Sequence, residues 1–179
     1  MDFPTDKVRT IPEMAKWVAE QIDGAAYIVG HSFGGKTAVA IAALHPDKVK
    51  GIFVIAGSNR GKLKYRLLKP FIKIAKLVVP EKIRRRFRAA DYQNSSDTMR
   101  RVMAKTLGFD IMRLAKAVAC PAVFINGSLD TITPPALGRK LAKATGGRFY
   151  ELKSFNHNTI ITAGIYQVSA IIKSGIKNV

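Results

Sequence analysis

The sequence predicts an α/β protein: a parallel sheet of about four strands, helices on both faces, and a small helical cap inserted into the chain. Three observations lead there. Short apolar runs alternate with segments whose apolar residues fall at helical spacing, the pattern of a parallel sheet covered on both sides. Turn-forming and helix-stopping residues separate many of these runs. One stretch, Asn59 to Lys116, breaks the alternation; it holds no clear strand, and its apolar residues recur at helical intervals.

The elements follow in order. Thr10 to Ile22 places Ile11, Met14, Ala15, Val18 and Ile22 on one helical face, with Thr10 and Glu13 spaced as a capping pair and Asp23-Gly24 as the stop. Ala25 to Val29 is a short apolar run and reads as a buried strand. Lys36 to Leu44 reads as a helix that ends at His45-Pro46, because the residue before proline is held away from helical geometry. Gly51 to Ala56, Ala122 to Ile125 and Arg148 to Leu152 read as further strands. Pro135 to Thr145 is a helix stopped by Gly146-Gly147, and Thr162 to Ile176 closes the chain as another. There is no internal repeat and no low-complexity tract. The 179 residues make one domain, with residues 59–116 as its insertion.

Composition narrows the function. With 47% hydrophobic residues the chain can bury a core, which excludes a disordered class. Cys120 is the only cysteine, so no internal disulfide forms, in keeping with a reducing compartment. Met1 to Arg9 mixes charge and proline and does not read as a signal peptide. No run reaches the roughly 18 apolar residues of a membrane span. The expectation is a soluble, cytoplasmic protein without metal or cofactor.

The formal charge of +18 attracts nucleic acid, anionic lipid or acidic substrates. Much of it sits between Arg60 and Arg88, where twelve Lys or Arg face a single acid, Glu81. Leu63, Leu67, Leu68, Phe71, Ile72, Ala75 and Val79 recur at helical spacing among them. That pattern suits a basic amphipathic surface on an anionic membrane. It equally suits a cap whose apolar face roofs a site while its charges face water, which is the ordinary case. Beside Arg84-Arg85-Arg86 the only aromatic is Phe87, so base stacking is poorly supported and no specific nucleic acid is expected.

Gly30-His31-Ser32-Phe33-Gly34 lies directly between a predicted strand and a predicted helix. In that context a serine sits on a sharp, strained turn. Glycines two before and two after it keep side chains from colliding, and the helix N-terminus adds positive potential where an oxyanion forms. The same stretch also spells Gly30-x-x-x-x-Gly35-Lys36-Thr37, a phosphate-loop pattern. A nucleotide hydrolase wants an aspartate at the end of a neighbouring strand to hold magnesium. Gly51 to Ala56 runs instead into Gly57-Ser58-Asn59, and Ala122 to Ile125 is followed by an aspartate only at Asp130, in a turn.

Asp130 and His157 each follow a predicted strand, at the same sheet edge as Ser32, where open α/β sheets place their sites. Serine, acid and histidine fall in the order a serine hydrolase of this architecture requires. Each has a plainer reading. Asp130 can close an Asx turn before Thr133-Pro134, and a lone loop histidine is usually a surface residue. His31 belongs to the turn and His45 precedes a proline, so His157 alone has the right order and context. Ser58 and Asn59 occupy the other acid position, after the second strand.

The pieces GHSFGG, CPAVFINGSLDTITP and FNHN closely resemble the serine α/β-hydrolases related to lactonases, esterases and haloperoxidase-like enzymes. Ala89-Ala90-Asp91-Tyr92-Gln93 to Met99-Arg100 resembles that family's small helical cap. The resemblance implies cleavage of a small carboxylic ester or thioester through an acyl-enzyme on Ser32, with His157 as base, Asp130 as its orienting acid and the Phe33 amide as oxyanion donor. Serine at position 32 speaks against the related branches that use aspartate there. The resemblance starts after the strands and helix that, in the family, precede the region matching Phe3 to Gly24 and supply a second oxyanion donor. On that reading the strand Ala25 to Val29 has an open edge, a homodimer is expected and activity is weak. Asn156 stands where the family often has glycine. The runner-up is a non-catalytic or nearly inactive binding module of this fold; a phosphate-loop nucleotide binder comes third.

Overall fold

The computed structural model describes residues 9–57, 97–106 and 109–177. The basic segment Arg60 to Arg88 and most of the expected cap lie outside these. The described residues fall into two compact units, residues 9–10, 97–106 and 109 in one and residues 11–57 and 110–177 in the other. The first contains one described helix, Asp97–Thr106, with Asp97 paired to Arg100 in its first turn at 3.2 Å.

The second unit holds a four-stranded parallel sheet in the order β1 (Ala26–His31), β2 (Val49–Ile55), β3 (Ala122–Gly127), β4 (Arg148–Leu152). Among the described residues its helices are α1 (Ile11–Glu20), α2 (Phe33–Leu44), α3 (Met112–Ala115), α4 (Pro135–Thr145) and α5 (Ile165–Lys177). Alternation along the strands sorts the core into two layers. Phe53, Ile55, Val123 and Ile125 form one with Val168 of α5 and Ile160. Val54 lies against Gly35 of α2, and Asn126 against Gly138 of α4, on the other. α1 lays Ile11, Met14, Ala15 and Ala19 down as a fully buried face against α2.

The strands and helices expected outside the cap are all present, with instructive shifts. β1 runs two residues further than expected, to His31, and α2 begins at Phe33 rather than Lys36. β1 is also not a buried strand. It is outermost among the described strands, and Val29 is 51% exposed. Period and composition mark it as apolar but do not count its neighbours. The closing helix begins at Ile165, because Thr159–Ile161 forms a separate 3₁₀ turn. Gly146 closes α4 in left-handed geometry at φ 67°, as its position predicts.

Candidate active site

The β1–α2 junction leaves one residue, Ser32, between strand and helix. Its backbone is held at φ 52°, a left-handed geometry that strains a residue bearing a side chain. Two contacts hold the turn. The Ser32 amide donates to the Ile55 carbonyl at 2.9 Å, which ties the turn to β2, and the Gly35 amide returns to the Ser32 carbonyl at 3.1 Å. Gly30 is obligatory here, since a Cβ would overlap the Gly34 carbonyl. Gly35 is too: a Cβ there would stand 2.7 Å from Val54 Cγ1. The phosphate-loop pattern is thereby accounted for by packing. With strand and helix one residue apart, no loop of successive amides remains to cradle a phosphate, and Thr37 is buried within α2.

Asp130 and His157 arrive from the loops after β3 and β4. The Asp130 amide donates to the Gly127 carbonyl at 3.1 Å, and the Leu129 amide to the Phe155 carbonyl at 2.9 Å, which joins the two loops. His157 Nδ1 lies 2.8 Å from Asp130 Oδ2, and His157 Nε2 lies 2.9 Å from Ser32 Oγ. Both Asp130 and His157 are 3% exposed, while Ser32 stays partly open. The structure therefore brings all three expected residues into one hydrogen-bonded chain. Gly30, His31 and Gly34 flank the serine, and Phe33 opens α2 immediately after it.

The plainer reading of Asp130 also holds, on its other oxygen. Oδ1 accepts the amides of Ile132 and Thr133 at 2.9 and 2.7 Å, an Asx turn, and leaves Oδ2 to face the histidine. One carboxylate thus shapes the loop and meets the ring.

Several contacts around these residues were not legible in the sequence. The Thr133 hydroxyl lies 2.6 Å from Asp130 Oδ2 and 3.1 Å from His157 Nδ1. His31 Nε2–H donates to the His157 carbonyl at 3.0 Å, with ring centroids 4.9 Å apart. Asn156 is a structural cap: its Oδ1 accepts the amides of Asn158 and Thr159, and its own amide donates to Thr159 Oγ1 at 2.8 Å. Glycine there would keep the amide bond to Thr159 but lose both bonds to the Asn156 side chain beside the histidine. The Asp-x-x-Thr and Asn-x-x-Thr spacings were the available signals, both of them local turn patterns.

A strained serine at a strand–helix turn, joined to a histidine and an acid from two later strand ends, on a parallel sheet with helices on both faces, defines the α/β-hydrolase class. The sequence profile of the alpha/beta hydrolase fold matches residues 3–89. A pimeloyl-[acyl-carrier protein] methyl ester esterase of Neisseria meningitidis serogroup B (strain H44/76) is 26% identical over 172 aligned positions, covering 82% of this chain and 67% of that protein. Its serogroup A counterpart (strain DSM 15465 / Z2491) is 27% identical, with 55% of its length covered. A thermophilic esterase from Thermogutta terrifontis superposes with TM-score 0.68 at 20% identity, over 95% of this chain and 73% of that one. The enol-lactonase of Burkholderia xenovorans LB400 gives 0.66 at 23% identity, over 93% and 73%. The chain has the α/β-hydrolase fold, and its sequence is similar to that family over residues 3–89. It spans about two thirds of the length of the serogroup B relative.

Proposed function

We propose that the chain is a serine hydrolase of carboxylic esters or thioesters, working through Ser32, His157 and Asp130. The observation that carries this is the continuous hydrogen-bonded chain from Ser32 Oγ through both ring nitrogens of His157 to a buried carboxylate. Ser32 Oγ attacks the acyl carbon as His157 Nε2 takes its proton; the leaving group departs with that proton, and the acyl group stays on Ser32. Water then attacks the acyl-enzyme, His157 takes its proton and returns it to Ser32 Oγ, and the carboxylic acid leaves. Asp130 holds the ring and offsets its transient charge. The Phe33 amide, first in α2, is the assigned oxyanion donor, aided by the helix N-terminus.

Charge narrows the substrate. At +18 the chain suits an ester presented by an anionic molecule, and the relatives' names supply one candidate presenter, an acyl-carrier protein. The test is hydrolysis of p-nitrophenyl acetate by wild type and Ser32→Ala, alongside an acyl-carrier-protein methyl ester. Wild type cleaves both, and Ser32→Ala loses the acylation burst. Added salt lowers kcat/KM for the carrier-bound ester and leaves the small ester unchanged. Equal turnover by Ser32→Ala contradicts the esterase reading. A folded wild type that cleaves neither supports the binding module instead. Equal salt dependence for both esters contradicts the anionic presenter alone.

A further inference from the structure

We propose that Thr133 is a positioning residue: its hydroxyl, committed to Asp130 Oδ2, holds that carboxylate oxygen against Nδ1 of His157 and presents the ring with a second acceptor. The inference rests on the esterase reading above. His157 Nδ1 faces two oxygens, Asp130 Oδ2 at 2.8 Å and Thr133 Oγ1 at 3.1 Å. The Thr133 hydroxyl has a single proton, and Asp130 Oδ2 lies 2.6 Å from it. Donation to a carboxylate gives the shorter, charge-assisted bond, so the proton goes there and only lone pairs remain toward the ring.

Both oxygens in front of Nδ1 are then acceptors, and Nδ1 must be the donor. Nε2, 2.9 Å from Ser32 Oγ, is left with the lone pair that receives the serine proton. Were Thr133 to donate to Nδ1 instead, the ring proton would sit on Nε2 and face the hydroxyl it has to deprotonate.

Thr133 is itself held from two sides. Its amide donates to Asp130 Oδ1 at 2.7 Å, and its carbonyl accepts Asn126 Nδ2–H at 2.9 Å. Asn126 is wholly buried on β3, and its Oδ1 has no hydrogen-bond partner among the described residues. A buried amide with one orphan end costs stability that an aliphatic side chain would not. What the position gains is a fixed Thr133 carbonyl. Room for the amide comes from Gly138, where a Cβ would overlap Asn126 Oδ1. The brace runs from the sheet through Asn126 and Thr133 to the carboxylate.

The test combines Thr133→Val and Thr133→Ser, assayed on p-nitrophenyl acetate across pH, with nitrogen NMR of ¹⁵N-histidine-labelled protein. Thr133→Val loses on the order of 10- to 100-fold in kcat/KM, the loss of one charge-assisted hydrogen bond. Its pH profile departs from wild type as well, because Asp130 Oδ2 loses the hydroxyl it shares with the ring. Thr133→Ser keeps the hydroxyl and stays close to wild type on both measures. The His157 resonance, identified by its loss in His157→Gln, shows the proton on Nδ1 in wild type and also in Thr133→Val, where the Asp130 carboxylate still faces that nitrogen.

A Thr133→Val enzyme with wild-type kcat/KM and pH profile overturns the proposal. So does a Thr133→Ser as impaired as Thr133→Val, or a wild-type His157 protonated on Nε2. If Thr133→Val does not fold, Thr133→Ser and the wild-type spectrum still decide. A wild type without esterase activity overturns the esterase reading instead, and the spectrum then still tests the tautomer.

Discussion

At the scale of single residues, the site is a division of labour among polar atoms with few partners to spare. Asp130 gives Oδ1 to its own loop and Oδ2 to His157 and Thr133, so no acceptor side of the carboxylate is idle. Replacing it with asparagine puts an amide where Thr133 and the ring both expect an acceptor, and invites the wrong tautomer. Asp130→Asn is expected to lower kcat by several powers of ten, roughly 10⁴ in the template case, with the fold intact. Steady-state kinetics beside a circular dichroism melt checks both halves; an active Asp130→Asn removes Asp130 from the chain. Serine, acid and histidine were legible in the sequence because their order and their places after strands are sequence properties. The roles of Thr133 and Asn126, and the contact of His31 with the His157 carbonyl, were not, because they depend on partners brought together by folding: His31 and His157 stand 126 positions apart.

At the scale of elements, glycines decide how closely α2 follows β1. Gly30 has no room for a Cβ beside the Gly34 carbonyl, whereas Gly24 has φ 74° and open space around it. The two glycines therefore fail for different reasons. Gly24→Ala costs roughly 1 kcal/mol, the price of a left-handed backbone. Gly30→Ala forces the turn apart, costs about 1–3 kcal/mol as an overpacked site, and displaces Ser32. Urea unfolding and esterase assay order them: Gly30→Ala is the less stable and loses activity, while Gly24→Ala keeps it. The reverse order contradicts the close-packed turn. Strand and helix identities were readable from period and apolar content. Their ends were not: His31 and Phe33 carry no stop or start signal, and packing of Gly35 on Val54 sets the junction. The exposure of β1 was not readable from its residues either, since Ala26 to Val29 is as apolar as a central strand.

At the scale of the whole molecule, the expectations about association rest on charge and on the position of β1. Among the described strands β1 is outermost, and half-exposed Val29 lies on it. An edge strand of this kind pairs readily with another chain, and a second copy is the proposed partner because two-fold closure is the commonest oligomer symmetry. Sedimentation at micromolar concentration is expected to show a dimer, and Val29→Lys to give monomers; a monomeric wild type contradicts the proposal. The basic segment Arg60 to Arg88 carries a separate expectation. Association with anionic vesicles falls steeply with salt, since such contacts are screened within about 10 Å at 0.1 M. Binding that ignores salt or lipid charge counts against it. Among the described residues no helix is long and apolar enough to cross a membrane.

The central claim is that the hydrogen-bonded chain through His157 makes Ser32 a nucleophile. Treatment with a fluorophosphonate probe, followed by mass spectrometry of the peptide containing Ser32, tests it most directly. The account predicts a covalent adduct on Ser32 that is lost in His157→Ala; a folded wild type left unlabelled at Ser32, or labelled equally well in His157→Ala, contradicts it.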